Sequence, residues 1–229
     1  TTTTFIYNGV AQGPTASAES GVTGETINIT RTTGTNAGSY TSTASISSVT
    51  GGRAKAGNYK LIGATKAFTI NRAATATAAA VNKTYNGESQ TGVTGNYVSW
   101  GGITAGIDAG SYTATATPDE NHAWSDGTTA AKSITWTMSA KEVAVTWGTT
   151  IFTYNGSAQG PTASAESGVT GETINITRTT GTNAGSYTST ASISSVAGGR
   201  AKAENYKLTG AAKAFTINNI TYLTLKIDS

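Results

Sequence analysis

One histidine, His122, stands among the 229 residues, and there is no cysteine. It lies in Asp119-Glu120-Asn121-His122-Ala123-Trp124-Ser125-Asp126-Gly127, so carboxylates flank it in sequence. Metal binding is the chemistry such a cluster suggests. A single imidazole among acids on a loop, however, lacks the ligand spacing of a zinc or calcium site. A loop histidine satisfied by its neighbours is expected instead, with no metal and no cofactor. The lack of cysteine rules out a thiol nucleophile, and one histidine gives no basis for a Ser-His pair. Gly51-Gly52 is not followed by the Lys-Ser/Thr of a phosphate loop. Stacking on sugar rings is the chemistry left, and Trp100 and Trp124 are its candidates. Trp136 alternates with polar residues in Lys132 to Met138 and reads as core. The chain is not expected to be an enzyme.

The residues that recur are of another kind. Tyr-Asn-Gly occurs at Tyr7-Asn8-Gly9, Tyr85-Asn86-Gly87 and Tyr154-Asn155-Gly156. Ala-Gly-Ser-Tyr follows each time, ending at Tyr40, Tyr112 and Tyr187. Three copies of a paired word make a tandem array. Tyr7 to Asn71 matches Tyr154 to Asn218 except at Val10/Ser157, Thr50/Ala197, Gly57/Glu204, Ile62/Thr209 and Thr65/Ala212. The expected division is 1–71, 72–139 and 140–219, with 220–229 set apart, and each piece is near the lower size limit for independent folding.

Composition points to strands. About a fifth of the residues are Thr, and strong helix formers such as Leu and Glu are scarce. Glu25 to Arg31 alternates Ile27 and Ile29 against Thr26, Asn28 and Thr30, the period of a half-buried strand. Lys141 to Trp147 does the same with Val143, Val145 and Trp147. Asn8-Gly9 suits a type I′ turn into a strand from Val10, and Pro14 marks an edge or a bulge. Asn58 to Ile70 is expected to close the first repeat, with Tyr59, Leu61 and Phe68 in its core. Ala73 to Val81 reads as a weak strand opening the second repeat.

The Ala-Gly-Ser-Tyr word resembles the opening of strand F in immunoglobulin-type sandwiches, where a tyrosine hydroxyl bonds back to the chain as a tyrosine corner. Tyr40, Tyr112 and Tyr187 take that place. Cysteine would follow two residues on in an antibody domain; Ser42, Ala114 and Ser189 stand there. The fold class expected is all-β, as three tandem Ig-like β-sandwich modules.

Other classes are poorly served. Charged residues are 12% and the net charge is +3, too few and too scattered for nucleic acid. No apolar run approaches the ~18–20 residues of a bilayer span, so no membrane insertion is expected. The chain reads as a mature or excised segment.

Tyr-Asn-Gly with Gln12, Gln90 or Gln159 behind it, then Asn/Asp-Ala-Gly-Ser-Tyr, then Asn-Tyr-Lys-Leu closing on Phe-Thr-Ile, resembles the bacterial Ig-like repeats called MBG domains. Trp124-Ser125-Asp126-Gly127-Thr128-Thr129 with Ile134-Thr135-Trp136 resembles a sister repeat that alternates with them. The resemblance implies extracellular modules strung along bacterial surface proteins or secreted fibres, with no catalytic residues to carry over. It also raises a Lys–Asn isopeptide crosslink, with Lys141 and Asn218 as partners and Glu166 or Glu172 as catalyst.

An asymmetry separates the ends. Lys141 to Trp147 precedes the third repeat, whereas Thr2 of the first already aligns with Thr149. After Asn218 comes an apolar ribbon, Ile220-Thr221-Tyr222-Leu223-Thr224-Leu225-Lys226-Ile227, with Leu223, Leu225 and Ile227 on one face. A sandwich short of one strand exposes its core and unpaired backbone. The expectation is donor-strand exchange between copies, with Ile220 to Ile227 of one filling an acceptor region around Thr2, Thr3, Thr4, Phe5, Ile6 and Tyr7 of the next. A head-to-tail contact of this kind grows a filament. Burying three aliphatic side chains would supply ~1.5–3 kcal/mol each. The partners expected are therefore copies of the chain itself, with host or matrix glycans a further option at Trp100 and Trp124. The alternative is a spacer or stalk segment of a monomeric adhesin.

Overall fold

The computed structural model describes residues 3–53, 55–199, 202–220 and 225. Apart from 3-10 turns at Ala56–Asn58 and Ala203–Asn205, its regular elements are all strands. The all-β expectation holds, with several curled sheets of the β-sandwich kind. The chain divides into two compact units, Thr1–Ala79 with Thr94–Gly102 and Ala114–Ile134, and Ala80–Val93 with Ile103–Thr113 and Thr135–Ser229. The second repeat contributes to both.

In the first unit the first repeat forms β1 (Thr4–Ile6), β2 (Thr26–Arg31), β3 (Gly38–Thr50) and β4 (Thr65–Asn71), in spatial order β1-β4-β3-β2. β1 runs parallel to β4, with Phe5 opposite Ile70. The long β3 serves two antiparallel partners in succession: residues 38–43 face β4 and residues 44–50 face β2. One strand shared in this way, with a register shift at Asn28/Ile29, curls the sheet. Phe68 and Ile70 are buried on β4, Phe5 meets Phe68 edge-on at 5.9 Å, and Tyr40 stacks on it at 5.3 Å.

The second repeat supplies β5 (Thr77–Ala80), β6 (Lys83–Thr84), β7 (Gln90–Thr91), β8 (Val93–Asn96), β9 (Val98–Gly102), β10 (Ala105–Gly106), β11 (Gly110–Pro118) and β12 (Lys132–Ser139). Within the first unit, β9 pairs antiparallel with β11, and Ala76, Ala116 and Trp124 form a buried cluster beneath Val98, Trp100 and Ile134. Within the second unit, β6 runs parallel to β12 and β7 antiparallel to β10. Trp136 is fully buried there, and its indole N–H donates to the Ile103 carbonyl at 2.8 Å. A Cβ at Gly92 would stand 2.0 Å from that indole, so only glycine fits.

The third repeat, in the second unit, forms β13 (Lys141–Ala144), β14 (Thr146–Trp147), β15 (Ile151–Thr153), β16 (Ala163–Ser164), β17 (Thr173–Arg178), β18 (Gly185–Ala197), β19 (Tyr206–Thr209) and β20 (Ala212–Asn218). Its order β15-β20-β18-β17 repeats that of the first. β13 and β14 are additional: β13 pairs parallel with β19, and β14 antiparallel with β16.

Two sequence expectations change. Asn8-Gly9 is not a type I′ turn, because only the glycine has positive φ, at +80°. Asn8 Oδ1 instead accepts the Val10 N–H at 3.1 Å, an Asx turn, and Asn86 and Asn155 do the same with Glu88 and Ser157. β1 therefore leads into the turn as the parallel neighbour of β4, not as half of a hairpin. Asn58 to Ile70 is likewise not one strand: a 3-10 turn ends at Asn58 and β4 begins at Thr65.

Candidate strand-acceptor site

The third repeat shows what β13 and β14 do. Along Val143, Val145 and Trp147 the inward side chains alternate with exposed Ala144 and Thr146, as a period of two requires. Val143 is 5% exposed, and the ladder runs on through the Val145 N–H to the Thr209 carbonyl at 3.0 Å. The Trp147 indole N–H donates to the Gly210 carbonyl at 2.8 Å, and the Gly148 N–H to the Thr162 carbonyl at 2.9 Å. In this repeat Tyr206, Ala165, Ile174 and Ala191 are all buried.

The first repeat carries nearly the same sequence without those strands. Tyr59, Ala18, Ile27 and Ala44, the counterparts of the four residues just named, are only half-buried, and Ile62 is 96% exposed. Tyr59 to Ile62, which match β19 in position, lie in no strand. Between them and residues 14–19 runs an open trough of about 590 Å³, lined by Pro14, Ile27, Ile29, Ala44, Tyr59 and Leu61 among others. Two repeats of almost one sequence therefore form a complete layer in one setting and an open one in the other. At the trough's end Tyr59 donates to Glu25 Oε2 at 2.5 Å, and that hydrogen bond, with burial adding to it, raises the phenol above its ordinary value.

The sequence-derived acceptor region is placed beside this trough rather than along it. Thr4, Phe5 and Ile6 form β1, already paired with Thr69, Ile70 and Asn71. The Tyr7 N–H extends that pairing to the Asn71 carbonyl at 2.9 Å, and the Thr3 carbonyl accepts from Thr69 at 2.8 Å. Thr2 lies outside the described residues. Among the described residues Tyr59 to Ile62 have no strand partner, whereas their counterpart β19 in the third repeat is joined by β13. Of the donor ribbon, Ile220 is 58% and Leu225 82% exposed. Thr221, Tyr222, Leu223, Thr224, Lys226 and Ile227 lie outside the described residues.

The three tyrosines of the repeated word share one geometry. Tyr40, Tyr112 and Tyr187 donate to the carbonyls of Asn36, Asp108 and Asn183 at 2.8, 2.7 and 2.9 Å. Each ring lies against a glycine, Gly34, Gly106 or Gly181, where an added Cβ would come within 2.7 Å of it. The tyrosine thus fixes the turn before strands β3, β11 and β18.

Sugar stacking at Trp124 is corrected: it is 4% exposed, a core residue whose indole N–H donates to the Ala130 carbonyl at 2.7 Å. Lys132 Nζ lies 4.7 Å from the ring centroid, and half-buried Trp100 packs against the same cluster. His122 binds Asp119 Oδ1 at 2.6 Å and stacks on Tyr97 at 3.9 Å. Burial pushes the Asp119 carboxyl up, but hydrogen bonds from His122 and the Asn121 N–H outweigh it and leave it below its ordinary value. Among the described residues no group of three His, Cys, Asp or Glu could hold a metal. Two of the residues named for a crosslink hold other contacts: Lys141 Nζ donates to the Gly168 carbonyl at 2.7 Å, and both oxygens of Glu172, a candidate catalyst, accept tyrosine hydroxyls. Compared with known proteins, the chain matches no family model, no curated protein and no solved structure.

Proposed function

We propose that the chain is a structural, non-catalytic subunit of a bacterial extracellular filament, assembled head to tail by donor-strand exchange. The observation that carries this reading is the trough in the first repeat, lying where the third repeat holds β13 and β14. The occupant is the ribbon Ile220 to Ile227 of a second copy. The second repeat supplies its register. Alignment of Asn71 with Asn218 sets Ala73, Ala76 and Ala78 against Ile220, Leu223 and Leu225. Ala73 bridges His122 in parallel, its N–H donating to the Asn121 carbonyl at 3.0 Å, and the Ala76 N–H donates to the Ala123 carbonyl at 3.0 Å. Ala76 is buried and Ala78 partly so. The same pattern in a second copy turns Leu223 and Leu225 into the trough, with Ile220 beside Tyr59. Ladder hydrogen bonds hold the strand and the leucines fill the pocket.

The resemblance to MBG-type repeats implies modules at a bacterial surface or in a secreted fibre, and the filament reading gives such an array its means of growth. Electron microscopy of the purified chain with and without residues 220–229 tests it. Long fibres from the full chain and none after deletion are expected. Fibres that survive the deletion would overturn strand exchange, and short rods from both chains would leave a monomeric spacer.

A further inference from the structure

One polar contact is made twice in this chain, once inside each unit. In the second unit the Ala109 N–H donates to Asn205 Oδ1 at 2.7 Å, and Asn205 Nδ2 donates to Asp108 Oδ1 at 3.0 Å. Asn205 is 0% exposed, an amide that burial obliges to find partners. Beside it Glu172 receives two phenols, Tyr85 on Oε1 at 2.6 Å and Tyr206 on Oε2 at 2.7 Å, with the rings edge-on at 5.4 Å. In the first unit the Ala37 N–H donates to Asn121 Oδ1 at 2.8 Å, and Asn121 Nδ2 to Asn36 Oδ1 at 3.3 Å. There Tyr7 meets His122 edge-on at 5.3 Å. In both cases the Asx-Ala-Gly turn and the Tyr-Asn-Gly tyrosine of one repeat receive the Asn-aromatic pair of the next.

Both halves of this contact occur once more, without each other. Asn58-Tyr59 is the Asn-aromatic pair of the first repeat, and Asn58 is exposed where Asn205 is buried. Glu25 accepts Tyr59 on Oε2, and Oε1 receives no hydrogen bond among the described residues. Asn183-Ala184 is the turn of the third repeat, and no described side chain sits on it as Asn121 and Asn205 sit on theirs. Tyr154, the third Tyr-Asn-Gly tyrosine, is 36% exposed against 1% for Tyr85.

We propose that these halves meet between two copies of this chain. Ala184 of one copy donates its N–H to Asn58 Oδ1 of the next, Asn58 Nδ2 reaches Asn183 Oδ1, and the Tyr154 hydroxyl reaches Glu25 Oε1. The proposal rests on strand exchange and adds to it the selection of a partner. Backbone ladders accept any strand, whereas a buried amide and carboxylate left unmatched penalise a wrong one. The positions agree: β12 ends at Ser139, with only Ala140 between it and β13, which enters its layer beside the Asn205 contact. In sequence, Ile220 follows Asn218 at the same two-residue step at which Lys141 follows Ser139. One element is not repeated. Lys202 Nζ pairs with Asp108 Oδ2 at 2.5 Å, but its counterpart Lys55 would face the neutral Asn183.

The chain has no cysteine, so engineered ones have no competitors. Asn58→Cys chains mixed with Asn183→Cys chains under mild oxidation are expected to give a disulfide-linked pair, at least fivefold above Asn58→Cys mixed with Asn36→Cys. Asn36 is the control because its turn already holds Asn121. Equal yields from the two mixtures would overturn the contact. Repeating both mixtures without residues 220–229, with polymer assayed in parallel, separates the two ideas. Polymer lost on deletion, with no selective disulfide in the full chain, removes the polar contact and leaves strand exchange. Polymer and selective disulfide both surviving deletion remove strand exchange and leave the polar contact.

Discussion

Leu223→Asp attacks the centre of the proposed junction. The alignment that brings Asn71 onto Asn218 brings Ala76 onto Leu223, and Ala76 is 5% exposed in its cluster with Ala116 and Trp124. Burying a leucine there contributes about 1.5–3 kcal/mol. A carboxyl group in its place adds a desolvation cost of about 1–3 kcal/mol even when it is neutral, and more when it stays charged. At about 1.4 kcal/mol per factor of ten, a combined loss of ~3 kcal/mol or more raises the critical concentration for assembly about a hundredfold or more. Thr224→Asp is the matched control: it makes the same charge change on the opposite face, at the position of exposed Thr77. Its effect is expected to stay within about threefold, as for an isolated exposed charge. Free chain remaining after ultracentrifugation of a dilution series measures both. Equal critical concentrations for the two variants would refute the reasoning, because strand orientation would then be irrelevant.

Two further outcomes follow from the same geometry. Placing a copy of residues 141–148 directly ahead of Thr2 gives the first repeat a strand of its own; the variant is expected to stay monomeric and to stop growth when added to wild-type chains, and normal polymer from it would contradict the account. Alkaline titration reads the phenols on Glu172. Burial and then the Glu172 hydrogen bond push Tyr85 up to about 12 from 10.0, and the same causes raise Tyr206. A raised phenol stabilises fully below its unfolded value, so this contribution is complete below about pH 10 and fades as pH climbs through about 12. Tyrosinate absorbance should show a late component near pH 12 that disappears in Glu172→Gln, in step with loss of near-ultraviolet circular dichroism; absence of that component from the wild-type chain would contradict it.

What the sequence disclosed was local or repetitive. Alternation about Ile27 and Ile29 located β2, and the repeated Ala-Gly-Ser-Tyr located the turns before β3, β11 and β18. That Lys141 to Trp147 of the third repeat has no counterpart in the first was legible as a subtraction. The position of that segment in the fold was not, because the parallel pairing of β13 with β19 is a long-range fact that leaves no periodic trace. The matching words Asn58-Tyr59-Lys60-Leu61 and Asn205-Tyr206-Lys207-Leu208 make the point directly: only the second forms a strand, since only there does a neighbour complete the ladder. The sequence leaves Trp124 open as a stacking candidate because no strand periodicity surrounds it, whereas small neighbours, Ala76 and Ala116, make room for it inside. The Asn-aromatic contact did carry a signal. Glu120-Asn121-His122 and Glu204-Asn205-Tyr206 share a pattern, but histidine in place of tyrosine concealed it.

Hydrogen exchange at residues 59–62 and 206–209 tests the central claim most directly, since the near-identical segments serve as each other's control. Amides of Lys207 to Thr209 should be protected in both free and assembled chains, and those of Lys60 to Ile62 only after assembly. Unchanged fast exchange at Lys60 to Ile62 within polymers would show that no strand enters the trough.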